Sequence, residues 1–395
     1  MLTDVDFLLQ SMAWPLVLLL AWFVAERAYE VWQVPRVSSY VAVGLLASLF
    51  NLPGLTASVP GLPFLANVAL SLVLFELGYR INLRWFRHNP WVLMLGLIES
   101  VVTFGAVYWA SGFFELATEV RLIIAALSVS ASPAGIVRVA NELHSAGQVT
   151  ERVLHLCAIN CLVSVLALKL VVGYWQLSTS GDLLQAAFGS IHVLITSVAV
   201  GTLLGVAVPW LLRLRSSHER GVTVVFALAV LLLTTMSYGL KLSPLLAALT
   251  FGIVARERRV HLTNAQRGFG TAGDILTLFL FVYIAALLDW SHVVGGMFLG
   301  VVLIAVRTAS KVSCSLVAAR LSGITERKGL LTGLALTPMS AFAILLLEQT
   351  RLYGLEPATQ VLAVMTGMML LQELLGPVVT QRALMTAHET HVTKA

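Results

Sequence analysis

Ser128-Val129-Ser130-Ala131-Ser132-Pro133-Ala134-Gly135 interrupts one long apolar stretch, and Thr337-Pro338-Met339-Ser340-Ala341 interrupts another. A proline inside a helix removes one backbone hydrogen bond and clashes with the preceding turn. In hydrocarbon no water replaces that bond, so the freed carbonyl and amide groups need new partners within the protein. One such proline only kinks a helix, but two at matching places among Ser, Thr, Ala and Gly predict a polar centre. The match extends outward. Leu72-Val73-Leu74-Phe75 precedes the first break and runs to an end near Asn82, while Leu278-Phe279-Leu280-Phe281 precedes the second and ends near Asp289. These motifs repeat at nearly the same separation as Pro133 and Pro338. The copies are offset by seven spans, an odd number, so the repeats are expected to be inverted about the membrane plane.

The rest of the chain supplies the spans this requires. Its 395 residues are 58% hydrophobic and 11% charged, with a mean hydropathy of +0.89, a balance no single water-exposed core accommodates. The apolar stretches suit helices crossing about 30 Å of hydrocarbon rather than the alternating strands of a membrane barrel. About thirteen are expected, near 7–25, 36–50, 63–79, 90–112, 121–141, 152–175, 186–212, 221–238, 243–255, 273–288, 293–319, 328–348 and 357–381. The fold expected is an all-α polytopic membrane protein forming a single transmembrane domain over 1–395, with 186–212 linking the two halves. Asp4 and Asp6, rather than a basic segment, precede the first stretch, which is read as a retained helix and not a signal peptide. Cys157, Cys161 and Cys314 all fall inside spans, so no disulfide is expected.

The formal net charge of +5 would raise nucleic acid as a partner in a soluble protein. Here the bases sit in short connections, and orientation explains them. Alternate connections hold nineteen of the 25 basic residues, from Arg27 and Arg36 through Arg80, Arg138, Arg213, Arg256 and Arg320 to Lys394; the opposite set holds only Arg121, Lys241 and Arg351. Cytoplasmic loops concentrate Lys and Arg, so the N-terminus is expected outside and the C-terminus in the cytoplasm.

Ionisable groups at bilayer depth are costly and therefore functional candidates. They are Glu76, Glu99, Lys169, Arg307, Lys311 and Glu373. Lys169 and Glu373 stand toward span ends, where they are expected to reach for the interface. Arg307 and Lys311 lie four apart on one helix face and repel unless a carboxylate, Glu76 or Glu99, sits between them. His155, Cys157 and Cys161 also share helical spacing, but a zinc site takes four ligands and no fourth is evident, so no metal is expected. No nucleophile, base and orienting group converge either, and neither an enzyme nor a cofactor is expected.

Several segments carry a resemblance. Val34-Pro35-Arg36-Val37-Ser38-Ser39-Tyr40-Val41-Ala42-Val43-Gly44 and Leu74-Phe75-Glu76-Leu77-Gly78 resemble motifs of the monovalent cation:proton antiporters, in their sodium/proton exchanger branch. Ala131-Ser132-Pro133 stands where that branch has Thr-Asp-Pro, Asn160-Cys161 where it has Asn-Asp, and Arg307 where it has a buried base. Glu373-Leu374-Leu375-Gly376-Pro377 is similar to the closing segment of the potassium-efflux branch. The resemblance implies a homodimeric secondary transporter of Na⁺ or K⁺ against protons, placed in a bacterial inner membrane. It also implies a core bundle over 90–176 and 293–386 that moves against a scaffold and dimerisation part over 1–89 and 221–292, with discontinuous helices crossing at mid-membrane.

The departures bear on mechanism. The family's exchanging aspartate is Cys161 here, and a thiol is a poor ligand for a hard alkali cation. The second aspartate is Ser132, which offers an oxygen but carries no proton. A carboxylate must then hold the proton, Glu76 first and Glu99 second, with Ser130, Ser132 and Asn160 assisting a cation. Two other readings keep the membrane architecture: an anion or organic acid drawn by Arg307 and Lys311, and a non-transporting sensor or assembly subunit.

Overall fold

The computed structural model of the chain describes residues 2–50, 55, 61–180, 183–214, 219–258, 268–286, 288, 290–339, 341–352 and 359–390. Ser340 of the second break, Asp289, and the bases Arg215, Arg259, Arg267 and Lys394 lie outside the described residues. Among the described residues every regular element is helical. The first half runs through α1 (Leu2–Trp32), α2 (Arg36–Leu49), α3 (Leu62–Arg80), α4 (Leu83–His88), α5 (Pro90–Gly112), α6 (Thr118–Val129), α7 (Pro133–Glu142) and α8 (Gln148–Ser180). The second runs through α9 (Leu183–Leu214), α10 (Glu219–Gly239), α11 (Pro244–Glu257), α12 (Gly270–Ala286), α13 (Trp290–Leu321), α14 (Glu326–Ala335), α15 (Ala341–Leu352) and α16 (Thr359–Thr386).

Nine helices among the described residues are long and apolar enough to cross a bilayer, the pair α6–α7 counting as one; α2 and α12 are shorter apolar helices. The two halves of the second broken element are each short, at 10 and 12 residues. Large apolar side chains face outward on several spans, with Leu19 64% exposed, Val101 68%, Leu170 68% and Phe298 73%. In water such a surface would drive aggregation. Against acyl chains it costs nothing, and the protein is an integral membrane protein. Several helices overrun the expected spans because polar residues continue the helix beyond the hydrocarbon: α8, expected over 152–175, extends from Gln148 to Ser180. Asn82 ends no span. Its Oδ1 accepts from Arg84 N and Trp85 N at 3.1 and 3.4 Å, starting the short helix α4 that the hydropathy pattern conceals.

Both interruptions are real and have a local cause. α6 stops at Val129, Ser130 and Ser132 are extended, and α7 starts with Pro133 in its first turn. Proline is pre-set for that position and pushes the residue before it out of the helical region. Ser132 then caps α7, its Oγ accepting from Gly135 N at 3.1 Å. After α14, residues Thr337, Pro338 and Met339 are likewise non-helical before α15 begins.

Lipid tails offer no hydrophobic drive between helices, so close backbone approach carries much of the association. A Cβ at Gly201 would overlap the Ala247 carbonyl and one at Gly205 would stand 2.7 Å from Val254 Cβ, which joins α9 to α11. A Cβ at Gly296 would overlap the Ala363 carbonyl, joining α13 to α16, whereas one at the neighbouring Gly295 meets nothing within 4 Å. Gly296→Ala is therefore expected to cost about 1–3 kcal/mol as overpacking against backbone, and Gly295→Ala to be silent. Thermal unfolding of the two detergent-solubilised variants, followed by size-exclusion chromatography, checks the contrast.

Candidate functional site

The two breaks meet. Ser132 N donates to Pro338 O at 2.8 Å, so the extended link of one element is hydrogen-bonded to that of the other. Arg307 of α13 reaches into the junction from a fully buried position. Its Nε donates to Ser128 O at 2.7 Å, its Nη2 to Ser130 O at 2.6 Å and Pro338 O at 3.4 Å, and its Nη1 to Thr337 O. These are carbonyls that the helix interruptions leave without intrahelical donors. A guanidinium presents five N–H groups in a fixed planar fork, which is why a single arginine can serve two broken chains at once.

One turn further along α13, Lys311 Nζ lies 2.6 Å from Glu99 Oε1 of α5 and 3.2 Å from Val129 O. Both side chains are buried, at 0% and 1% exposure. Glu99, not Glu76, thus sits against this pair of bases. Thr103 Oγ1 donates to the same Glu99 oxygen at 3.1 Å, and Ser100 Oγ donates to Asn160 Oδ1 at 3.1 Å. Glu99 Oε2 and Asn160 Nδ2 are buried without a hydrogen-bond partner among the described residues. The junction therefore keeps an acceptor and a donor free beside this ion pair. The free Glu99 Oε2 can take up a proton or ligate a hard cation.

A family description for the transmembrane part of sodium/hydrogen exchangers matches residues 16–386. The chain belongs to the sodium/hydrogen exchanger family. No curated protein matches its sequence. Two solved structures of the sodium proton antiporter MjNhaP1 from Methanocaldococcus jannaschii share its fold at 15% identity. One, at pH 8, has a TM-score of 0.71 and covers 98% of this chain and 100% of that one. The other, an electron-microscopy map, has a TM-score of 0.72 and covers 96% and 98%.

Within this exchanger fold the remaining candidates fall into three places. Ser130 Oγ donates to Leu127 O at 2.8 Å and Ser132 Oγ caps α7, so both hydroxyls tie down the break itself. Cys161 Sγ is 3.5 Å from Ala131 O, a weak donor to the same link. Pro133 opens α7, while Pro338 packs where a Cβ on Gly376 would come within 2.9 Å of it. Glu76 is outside this junction. It is 1% exposed, accepts from Arg80 Nη2 at 3.0 Å and from Asn141 Nδ2 at 2.8 Å, and so belongs to a cluster at the far end of α7. Lys169 and Glu373 do not reach out to an interface: they are 5% and 3% exposed.

Sequence reasoning passes over Ser100 and Thr103. The signal for them is their placement one and four residues after Glu99 on an otherwise apolar span, which groups Thr103 with the carboxylate. It also passes over the carbonyl of Val129, since a backbone acceptor has no residue type to mark it.

An Arg307→Gln variant leaves carbonyls of both breaks without donors, at about 1–3 kcal/mol for each buried acceptor left unmet. The expected result is a fall of many degrees in the melting temperature of the purified protein, with Arg307→Lys only partly restoring it. Differential scanning fluorimetry in detergent reads this.

Proposed function

We propose that this exchanger is a secondary antiporter that couples protons to a monovalent cation, Na⁺ or K⁺, through the Lys311–Glu99 pair. One observation carries the reading: the 2.6 Å contact between an ammonium and a carboxylate, both fully buried, beside the junction of two broken helices. Removing one partner of such a pair leaves an uncompensated buried charge, at a cost of about 3–5 kcal/mol. Glu99 must therefore be neutralised in every state that crosses the membrane. The protonated Lys311 does this in one state. When Lys311 releases its proton, a hard cation takes its place, with oxygens of Thr103, Ser100, Asn160 and Val129 near at hand. The net charge of the junction is the same in both states, and only the state with neither proton nor cation is penalised. Obligatory exchange follows from that penalty.

The divergent site is consistent with this. Ser132 and Cys161, in place of the aspartates of related exchangers, are engaged with the backbone of the break, so the carboxylate is supplied from α5 instead. The structural neighbours are sodium proton antiporters, which supports an alkali cation as cargo. An anion or organic acid has less support, because each nitrogen of the Arg307 guanidinium is already turned to a carbonyl.

The same reading takes 90–176 and 293–386 as a core moving against 1–89 and 221–292, with 186–212 as the link. It takes thirteen crossings in two inverted repeats, the N-terminus outside and the C-terminus cytoplasmic in a bacterial inner membrane, and a homodimer as the working unit. The bias of Lys and Arg between alternate connections supports the orientation.

Proteoliposomes carrying an internal pH dye test the reading when pulsed with Na⁺, K⁺ or Cl⁻. Cation-driven proton movement is expected from the parent protein, its loss in Glu99→Gln, and its retention in Glu76→Gln. Full exchange by Glu99→Gln would remove Glu99 from the mechanism. Proton movement driven by Cl⁻ alone would favour the anion reading, and none under any gradient a sensor or assembly role.

A further inference from the structure

The half-helix α7 joins two polar places. Its first turn is the Ser132–Pro133 break, and its last residues are Arg138, Asn141 and Glu142, which share one face by their spacing of three and four. Each of these three binds a different helix across the molecule. Glu142 Oε1 takes Arg36 Nη1 of α2 at 2.6 Å, and Arg36 also holds Glu26 of α1 at 2.8 and 2.9 Å. Arg138 Nη1 takes Asp274 Oδ1 of α12 at 2.5 Å, and its Nη2 donates to Gly273 O at 2.7 Å. Asn141 donates to Glu76 of α3 and accepts from Arg80. Arg27, Arg36, Arg80 and Arg138 are among the bases that mark the cytoplasmic side in the orientation proposed above.

These contacts surround a cavity of about 430 Å³ lined by Glu26, Arg36, Tyr40, Arg138, Glu142 and Asp274, among others. Its walls come from α1, α2 and α12 on one side and from α7 on the other. A helix of ten residues is a rod about 15 Å long. Whatever shifts the break at its start shifts Arg138, Asn141 and Glu142 at its end, and the contacts there are ionic and directional, so they are either made or broken.

We propose that Glu142–Arg36 and Arg138–Asp274 form a cytoplasmic clasp between α7 and the helices opposite it. The clasp closes the cytoplasmic mouth of this cavity, and α7, whose first turn follows the Val129–Ser132 link on which Lys311 rests, is the lever by which occupancy of the Lys311–Glu99 pair opens and closes it. This rests on the antiport reading for its purpose but not for its existence. Arg138, Glu142, Arg36 and Asp274 are then gating residues that touch no ion in the binding site, and transport rate is limited in part by breaking their contacts.

The test separates the gate from the transport reaction. Tyr40→Cys places a thiol in the cavity wall; Cys157 and Cys161 are buried and Cys314 is replaced by alanine. Labelling by a membrane-impermeant maleimide is then followed in inside-out vesicles. Neutralising the clasp with Arg138→Gln and Glu142→Gln together is expected to speed labelling several-fold. The exchanged pair Arg138→Asp with Asp274→Arg is expected to return it toward the parent rate, which a variant that merely unfolds would not do. An Arg138→Cys, Asp274→Cys pair bridged by a short bis-methanethiosulfonate reagent is expected to abolish ion exchange until reductant is added. Labelling unchanged by neutralisation, or unimpeded exchange by the cross-linked protein, overturns the clasp. Accelerated labelling in a protein that exchanges no ion under any gradient leaves the clasp standing and removes the antiport reading.

Discussion

A single guanidinium holds the centre of this molecule together. Two apolar helices stop part-way, and in a membrane the carbonyls released by those stops have no water to turn to. Arg307 collects them from both chains, and Ser132 N closes the remaining gap to Pro338. Placing irregular backbone at membrane depth is tolerated only where the protein itself satisfies it, and here the satisfying group is one side chain from a third helix. For the same reason Arg307 is a poor candidate for binding cargo: its donors are spent on structure.

Once Arg307 is assigned to the scaffold of the junction, the division of labour among the buried charges becomes simple. Lys311 and Glu99 are left as a pair, joined at 2.6 Å and enclosed. Neither can change protonation or partner without the other responding, and that mutual dependence is what coupled exchange requires. The serine and cysteine at Ser132 and Cys161 are compatible with it, since their side chains secure the break while the acidic group arrives from α5. On the proposed reading, the carboxylate of the site comes from Glu99 of α5 and not from the positions of Ser132 and Cys161.

Much of this is legible in the amino-acid sequence. Proline in an apolar run, among small and hydroxylated residues, signals a helix break directly, and the matched spacing of two such breaks implies the architecture. The roles of Glu76 and Glu99 cannot be separated in that way. Along α3 nearly every residue from Ala66 to Tyr79 is buried, so there is no polar face to say which way Glu76 points; its partners Arg80 and Asn141 decide the matter, and Asn141 comes from 65 residues away. The helix α4 escapes a hydropathy reading because one and a half turns carry no such signal, although Asn82 before Leu83 is a readable cap. Arg36 and Arg138 read only as markers of orientation, and their pairing with Glu142 and Asp274 depends on tertiary contacts that a loop's charge does not encode.

Coupling at this junction requires that a bound cation displace a proton from the Lys311–Glu99 pair. Adding Na⁺ or K⁺ to purified protein in weakly buffered detergent solution, and measuring the protons released alongside the cations bound, addresses this without any membrane or gradient. A proton released for each cation bound is expected in the parent protein, and loss of that release in Lys311→Gln. Cation binding with no release, or the same release from Lys311→Gln, would contradict the mechanism.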